Sequence, residues 1–146
     1  MNIGYHNRKT VADVAHDYFD SVVALAQWAD CLIVACPGGA ATEHLVNAAV
    51  LQALGEHGLL INIARGSVVD EAALVAALEA GHIAGAALDV FEREPHIPSL
   101  LLQSEKVVLT PHIGSATRET RLDMDDLLLQ NVAAFVQDGR LLTEVC

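Results

Sequence analysis

Arg65, Glu94 and His112 carry complementary chemistry, and each follows a segment rich in small or branched aliphatic residues. An arginine presents a planar fork of N–H donors that matches a carboxylate and can also polarise an adjacent carbonyl. A histidine exchanges protons near neutral pH, and a carboxylate partner orients its ring and stabilises the imidazolium. The trio therefore suits reduction of a ketone that neighbours a carboxylate. The arginine would hold the substrate while the histidine protonates the alkoxide oxygen as hydride reaches the carbon. Taken singly, each residue has a plainer reading: Arg65 as a surface charge, Pro111-His112 as turn chemistry, and Glu94 before Pro95 as a solvated loop residue. Their joint placement, in the loops after three successive strand-like segments, favours the catalytic reading.

Those loops need elements to position them. Residues 2–6, 31–35, 59–63, 83–90 and 106–110 read as strands. Between them lie helical patterns. One covers 21–29, with Val22, Leu25 and Ala26 on one side, and another is capped by Thr42, carries Leu45, Ala49, Val50 and Leu54, and ends at Gly55 and Gly58. A third is capped by Asp70, has Glu71 in its first turn, turns Leu74 and Leu78 inward and stops at Gly81. The last, 117–138, offers Leu122, Leu127, Leu128, Val132 and Phe135 as its inner residues. Strands that alternate with helices predict right-handed crossovers and a parallel sheet with helices on both faces. Ligands of such a sheet bind beyond the carboxyl ends of its strands, which selects loops 36–39, 64–67, 89–95 and 111–115.

Composition agrees with a covered sheet. The chain has 146 residues, 53% hydrophobic and only 4% aromatic, so its core must be built from Ala, Val, Leu and Ile. Mean hydropathy is +0.38, yet no stretch approaches the roughly 20 apolar residues of a membrane span and no basic-then-apolar leader opens the chain. A soluble cytoplasmic protein is the expectation. A net charge of -11 repels phosphate backbones and anionic membranes, which argues against nucleic acid and membrane partners. Cys31, Cys36 and Cys146 form no metal-ligand spacing and read as buried or terminal free thiols; His6, His16, His44, His57, His82 and His96 read as scattered surface or loop residues. No metal is expected.

The run LLINIARGSVVDEAALVAALEAGHIAGAALDVFEREP (59–95), followed by VVLTPHIGSAT (107–117), resembles the D-isomer-specific 2-hydroxyacid dehydrogenase family, in its glyoxylate/hydroxypyruvate reductase-like branch. The arginine of that family's ARG turn, the glutamate of its DVFxxEP segment and the histidine of its TPHIG segment match Arg65, Glu94 and His112. By that resemblance Arg65 binds the carboxylate and carbonyl of a small 2-oxo acid such as glyoxylate or hydroxypyruvate, His112 is the acid/base and Glu94 its partner. Asp89 resembles the residue that hydrogen-bonds a nicotinamide carboxamide, while Cys36, Pro37, Ile63, Ala64, Arg65, His112, Gly114 and Ser115 correspond to cofactor-lining positions. After the second strand of a dinucleotide fold, an acidic residue selects a ribose hydroxyl and an arginine a 2′-phosphate. Asn7-Arg8 after the first strand here corresponds to that position and points to NADP, with NAD as the alternative.

The resemblance implies an α/β, Rossmann-like sheet, and residues 1–146 read as part of a dinucleotide-binding domain, with the substrate domain absent. The first strand and the G-x-G-x-x-G turn are lacking, and strand order 3-2-1-4-5-6 then predicts a gap in the sheet. Residues up to about Asp20 are expected to be disordered or to pair with another chain. The last helix is expected to show apolar residues to water and so to favour a homo-oligomer. Hydride transfer to a 2-oxo acid is the leading reading, with the isolated chain inactive. The alternative, a non-enzymatic Rossmann-like binding or assembly module, has no need of Arg65, Glu94 and His112 together.

Overall fold

A computed structural model describes residues 1–144, so Cys146 lies outside the described residues. Two parallel sheets are present. Strands β1 (Gly4–His6) and β2 (Asp17–Phe19) form the smaller. The larger has the order β3 (Cys31–Val34), β4 (Leu59–Asn62), β5 (Gly85–Leu88), β6 (Val107–Leu109). Register runs Leu32↔Leu60, Leu60↔Ala86 and Ala86↔Val107. Helices α1 (Val22–Trp28), α2 (Ala48–Leu54), α3 (Glu71–Glu79) and α4 (Ser99–Gln103) supply the crossovers, and α5 (Arg118–Asp138) follows the last strand. The expected gap is present: β1 and β3 belong to different sheets, with a cavity of about 390 Å³ lined by Tyr5, Asn7, Leu32, Val34, Cys36 and Pro37 among others.

The core sits beneath the larger sheet. Leu32, Val34, Leu60 and Leu88 point down to meet Val50 and Leu51 of α2 and Leu74 and Leu78 of α3, all buried. Alternate strand residues point the other way, and Ile33, Leu59 and Val108 are exposed there, so burial is uneven between the faces. Cys31 shares that outward register and is exposed rather than buried.

The segment before Asp20 departs from expectation, since β1 finds its parallel partner in β2 of the same chain. Gly4 makes this possible, because a Cβ there would collide with the rings of Phe19 and Trp28, which pack at 5.2 Å between centroids. His6 Nδ1 lies 2.9 Å from the Phe19 carbonyl oxygen, and the Val11 amide donates to the Tyr5 hydroxyl. β2 and α4 escaped the sequence reading because three to five residues are too short to display a period.

Helix α2 is also displaced from its reading. Its cap is Asn47, whose Oδ1 accepts from the amides of Ala49 and Val50. Thr42 instead donates its hydroxyl to the carbonyls of Pro37 and Gly39, closing the turn after β3. Asp70 and Ser21 cap α3 and α1 by accepting from Ala73 and Ala24.

The chain divides into two compact units, Met1–Pro111 and His112–Cys146. In the second, Thr117 caps α5 and Gly139, left-handed at φ 67°, ends it. Among the described residues of α5 only Asn131 is buried; Leu122, Leu127, Leu128, Val132 and Phe135 are all exposed, which meets the expectation of a helix showing apolar residues to water and not that of an inward-facing set. Asn131 accepts from the amides of Leu142 and Thr143 and donates to Leu127 O and Thr143 Oγ1, which folds the following segment back onto the helix.

Candidate functional site

The carboxyl ends of the strands in the first unit carry most of the residues singled out above. Asn7 and Arg8 follow β1 directly, and the Asn7 side chain accepts from the Arg8 amide at 2.9 Å, an arrangement that fixes the turn and leaves Arg8 exposed. Cys36 and Pro37 follow β3, and both line the 390 Å³ cavity with Asn7.

Arg65 sits in the turn after β4, and its backbone is fixed from several sides. Asn62, almost fully buried, accepts from the Ala64 amide at 3.0 Å and donates to the Arg65 carbonyl at 3.1 Å. Such a doubly used buried amide is stabilised as long as both bonds persist and is costly otherwise. Gly38 lies flat against the Arg65 side chain, 2.7 Å from Cγ to the position of an added Cβ, so the guanidinium stem runs over bare backbone. One guanidinium nitrogen donates to the Ala64 carbonyl at 2.7 Å. The remaining donors of the exposed fork stay available for a planar anion. Ile63, in the same turn, presents 57% of its surface to solvent, whereas Ala64 is buried.

Asp89 is buried at the end of β5, where it accepts from the Thr110 hydroxyl, and its amide donates to the Asn62 carbonyl at 3.0 Å. Glu94 lies five residues further on, before a cis peptide bond to Pro95, and accepts from the Phe91 amide at 3.0 Å. The Arg65 turn and the Glu94 loop are packed backbone to backbone: a Cβ on Gly66 would run into the carbonyl of Phe91 and the amide nitrogen of Glu92. Arg65, Asp89 and Glu94 thus belong to one tied framework within the first unit.

His112 opens the second unit. It is exposed and adopts a positive φ of 53°, an uncommon conformation outside glycine. Gly114 and Ser115 lie in the following turn, closed by the Ala116 amide donating to Ile113 O, and both are exposed. Among the described residues no group of histidine, cysteine or carboxylate side chains has metal-ligand geometry, and no helix is long and apolar enough to cross a membrane.

Three contributors were missed in the sequence: Asn62, Gly66 and Glu71. Asn62 falls inside the segment 59–63 read as a strand, and Gly66 inside the loop 64–67, without either being singled out. Glu71 reads as a helix-dipole acid, yet it is buried, and its carboxylate accepts from the Glu92 amide at 2.7 Å. Burial pushes the Glu71 carboxyl above the ordinary carboxylate range; the Glu92 amide opposes that rise, the Glu92 charge adds to it, Arg93 pulls down and Glu94 pushes up. An interruption of an apolar strand by asparagine was the available signal for the first, since a polar residue at a buried position needs local partners.

The family model for the D-isomer specific 2-hydroxyacid dehydrogenase, NAD binding domain, matches residues 1–114. Glyoxylate/hydroxypyruvate reductase A of Arabidopsis thaliana is 51% identical over 143 residues, which is 98% of this chain and 46% of that protein. 2-Ketogluconate reductase of Gluconobacter oxydans is 43% identical over 145 residues, 99% of this chain and 47% of that one. Among solved structures, the NADPH-dependent glyoxylate/hydroxypyruvate reductase of Sinorhizobium meliloti, in complex with NADP and malonate, has a TM-score of 0.95 at 49% identity and covers 99% of this chain and 46% of its own. The chain spans about half the length of the curated relatives it matches.

Proposed function

Because the chain belongs to the D-isomer specific 2-hydroxyacid dehydrogenase family, we propose that it is part of the dinucleotide-binding domain of an NADPH-preferring reductase of small 2-oxo acids such as glyoxylate or hydroxypyruvate. The observation that carries this reading is the Arg65 turn. An exposed guanidinium stands on a backbone held by buried Asn62 and by close-packed Gly38 and Gly66. That rigidity lets a fork of donors receive a carboxylate without first being ordered.

The residues present fit a dinucleotide. Asn7 and Arg8 at the end of β1 supply a polar and a cationic group for a 2′-phosphate. Cys36, Pro37, Ile63, Ala64, Gly114 and Ser115 are the proposed lining, and Asp89 the acceptor for a carboxamide. When bound, the reduced nicotinamide supplies the hydride. Arg65 holds the substrate carboxylate and draws charge from the ketone, His112 gives its proton to the alkoxide, and Glu94 is the carboxylate partner of the imidazolium. The exposed leucines of α5 support self-association, and a cytoplasmic setting suits the free Cys31 and Cys36 thiols.

Calorimetric titration with NADPH and NADH tests the cofactor assignment. The expected result is preference for NADPH, reduced by about tenfold or more in Arg8→Ala, the scale of one lost charge-assisted hydrogen bond. Absence of binding by either dinucleotide, or a preference untouched by the substitution, would overturn it.

A further inference from the structure

We propose that Glu71 is a positioning residue: its carboxylate, through the Glu92 amide, pins the loop that carries Glu94 to the first turn of α3 and so holds that loop against the Arg65 turn. Its relevance to catalysis rests on the roles proposed above for Arg65 and Glu94, whereas the tether is a property of the chain itself.

An acid in the first turn of a helix ordinarily faces solvent, where it complements the helix dipole for a fraction of a kcal/mol. Glu71 is instead 8% exposed and spends an oxygen on an amide of another loop, 2.7 Å away and 21 residues later in sequence. Burying a carboxyl is unfavourable unless it is hydrogen-bonded, so its location implies a structural demand at Glu92. The surroundings show what that demand is. Glu92 is also held through its side chain, since His44 Nε2 lies 3.4 Å from Glu92 Oε1. The His44 amide in turn donates to the Ser67 carbonyl at 2.8 Å, two residues beyond Arg65.

A closed circuit results. It runs from the Arg65 turn through Ser67 to His44, then to Glu92, from Glu92 to Glu71, and back along 66–70 to Arg65. The 44–46 segment is tied to the same stretch a second time: the Val46 amide donates to the Val68 carbonyl and the Asp70 amide to the Val46 carbonyl. Inside the circuit Gly66 touches the Phe91–Glu92 peptide, and Phe91 donates its amide to Glu94. Removing the Glu71 acceptor opens the circuit at the link nearest Glu94, while the core beneath α3 keeps Leu74, Ala77 and Leu78.

Nuclear magnetic resonance of the full chain provides the test, with Glu71→Ala, Glu71→Gln and wild type compared. Glutamine retains an acceptor oxygen and alanine does not. In Glu71→Ala the Glu92 amide should exchange its hydrogen about tenfold faster or more, with little change at the Leu60 amide in the core, whereas Glu71→Gln should stay near wild type. The Glu92 amide proton shift should also follow the Glu71 carboxyl in a pH titration and lose that component in Glu71→Gln. Glu92, Arg93 and Glu94 are the charged groups facing Glu71, and their own effects remain in that variant. Unchanged exchange at Glu92 in Glu71→Ala, or a Glu92 amide titration of undiminished amplitude in Glu71→Gln, overturns the tether. If Glu71→Ala does not fold, the comparison of Glu71→Gln with wild type decides. Failure to bind NADPH together with a normal Glu92 titration would sink the functional reading and leave the tether standing.

Discussion

Helices α3 and α5 contribute to this molecule in opposite ways. The 9-residue α3 buries Glu71, Leu74, Ala77 and Leu78, while the 21-residue α5 buries Asn131 alone among its described residues. Length and apolar content therefore do not rank the two. Helix α3 is held by burial against the sheet, and packing rather than intrinsic propensity supplies most helical stability. Helix α5 relies on local devices: the Thr117 cap, the left-handed Gly139 and the four hydrogen bonds of Asn131. The difference divides the functional residues as well, since Arg65, Asp89 and Glu94 lie on the packed framework and His112 on the locally held unit.

The sharpest way to break this comparison is a matched pair of truncations. Leu74→Ala should cost about 2–5 kcal/mol in urea unfolding, as for a fully buried leucine, whereas Leu128→Ala on the exposed surface of α5 should stay within about 0.5 kcal/mol. Comparable losses at both positions would show that α5 is buried in solution, by self-association or otherwise. A smaller effect separates the caps. Asp70→Ala should lower the unfolding free energy by about 1 kcal/mol. Thr117→Ala should act chiefly on the helicity of α5, read from far-ultraviolet circular dichroism, with global stability almost unaffected. A large global loss from Thr117→Ala would contradict the local character of α5.

The same contrast explains what was legible in the sequence. Leu74 and Leu78 were read as inner residues and are buried; Leu122, Leu127, Leu128, Val132 and Phe135 were read the same way and are exposed. Periodicity reports that a helix has an apolar side but is silent on what lies against it. The alternation of strands and helices followed from order along the chain, and the gap between β1 and β3 from the resemblance and its strand order. The pairing of β1 with β2 did not, because a three-residue strand has too few side chains to show a pattern and its partner is fixed by Gly4, Phe19 and Trp28 meeting in space. Among the candidate residues, Arg65 and Glu94 were singled out by their chemistry in loops after apolar strands and Asp89 by the resemblance, and all three lie in the first unit. Glu71 was not so singled out, since its helix position gives a sufficient reason for a carboxylate and its contact with Glu92 is made 21 residues away.

The smallest effect separates the two accounts of Glu71, a solvated dipole acid or a buried acceptor. Its carboxyl titrates above the ordinary range, burial being the main cause. Between the unfolded and the folded pKa the native chain therefore binds more protons than the unfolded one, so this residue makes stability fall as pH rises through that interval. Its contribution is most favourable below the unfolded pKa and is lost once the folded pKa is passed. Glutamine at this position does not titrate, and carboxylates outside the Glu92–Glu94 loop affect both proteins alike. The difference in unfolding free energy, wild type minus Glu71→Gln, should consequently increase in favour of wild type as pH is lowered from neutrality towards about 4, the ordinary carboxylate region. Urea melts at half-unit intervals would resolve the trend. A difference independent of pH would place Glu71 in water, and a difference that grows with rising pH would mean that its ionised form is stabilised more by the Glu92 amide than it is penalised by burial.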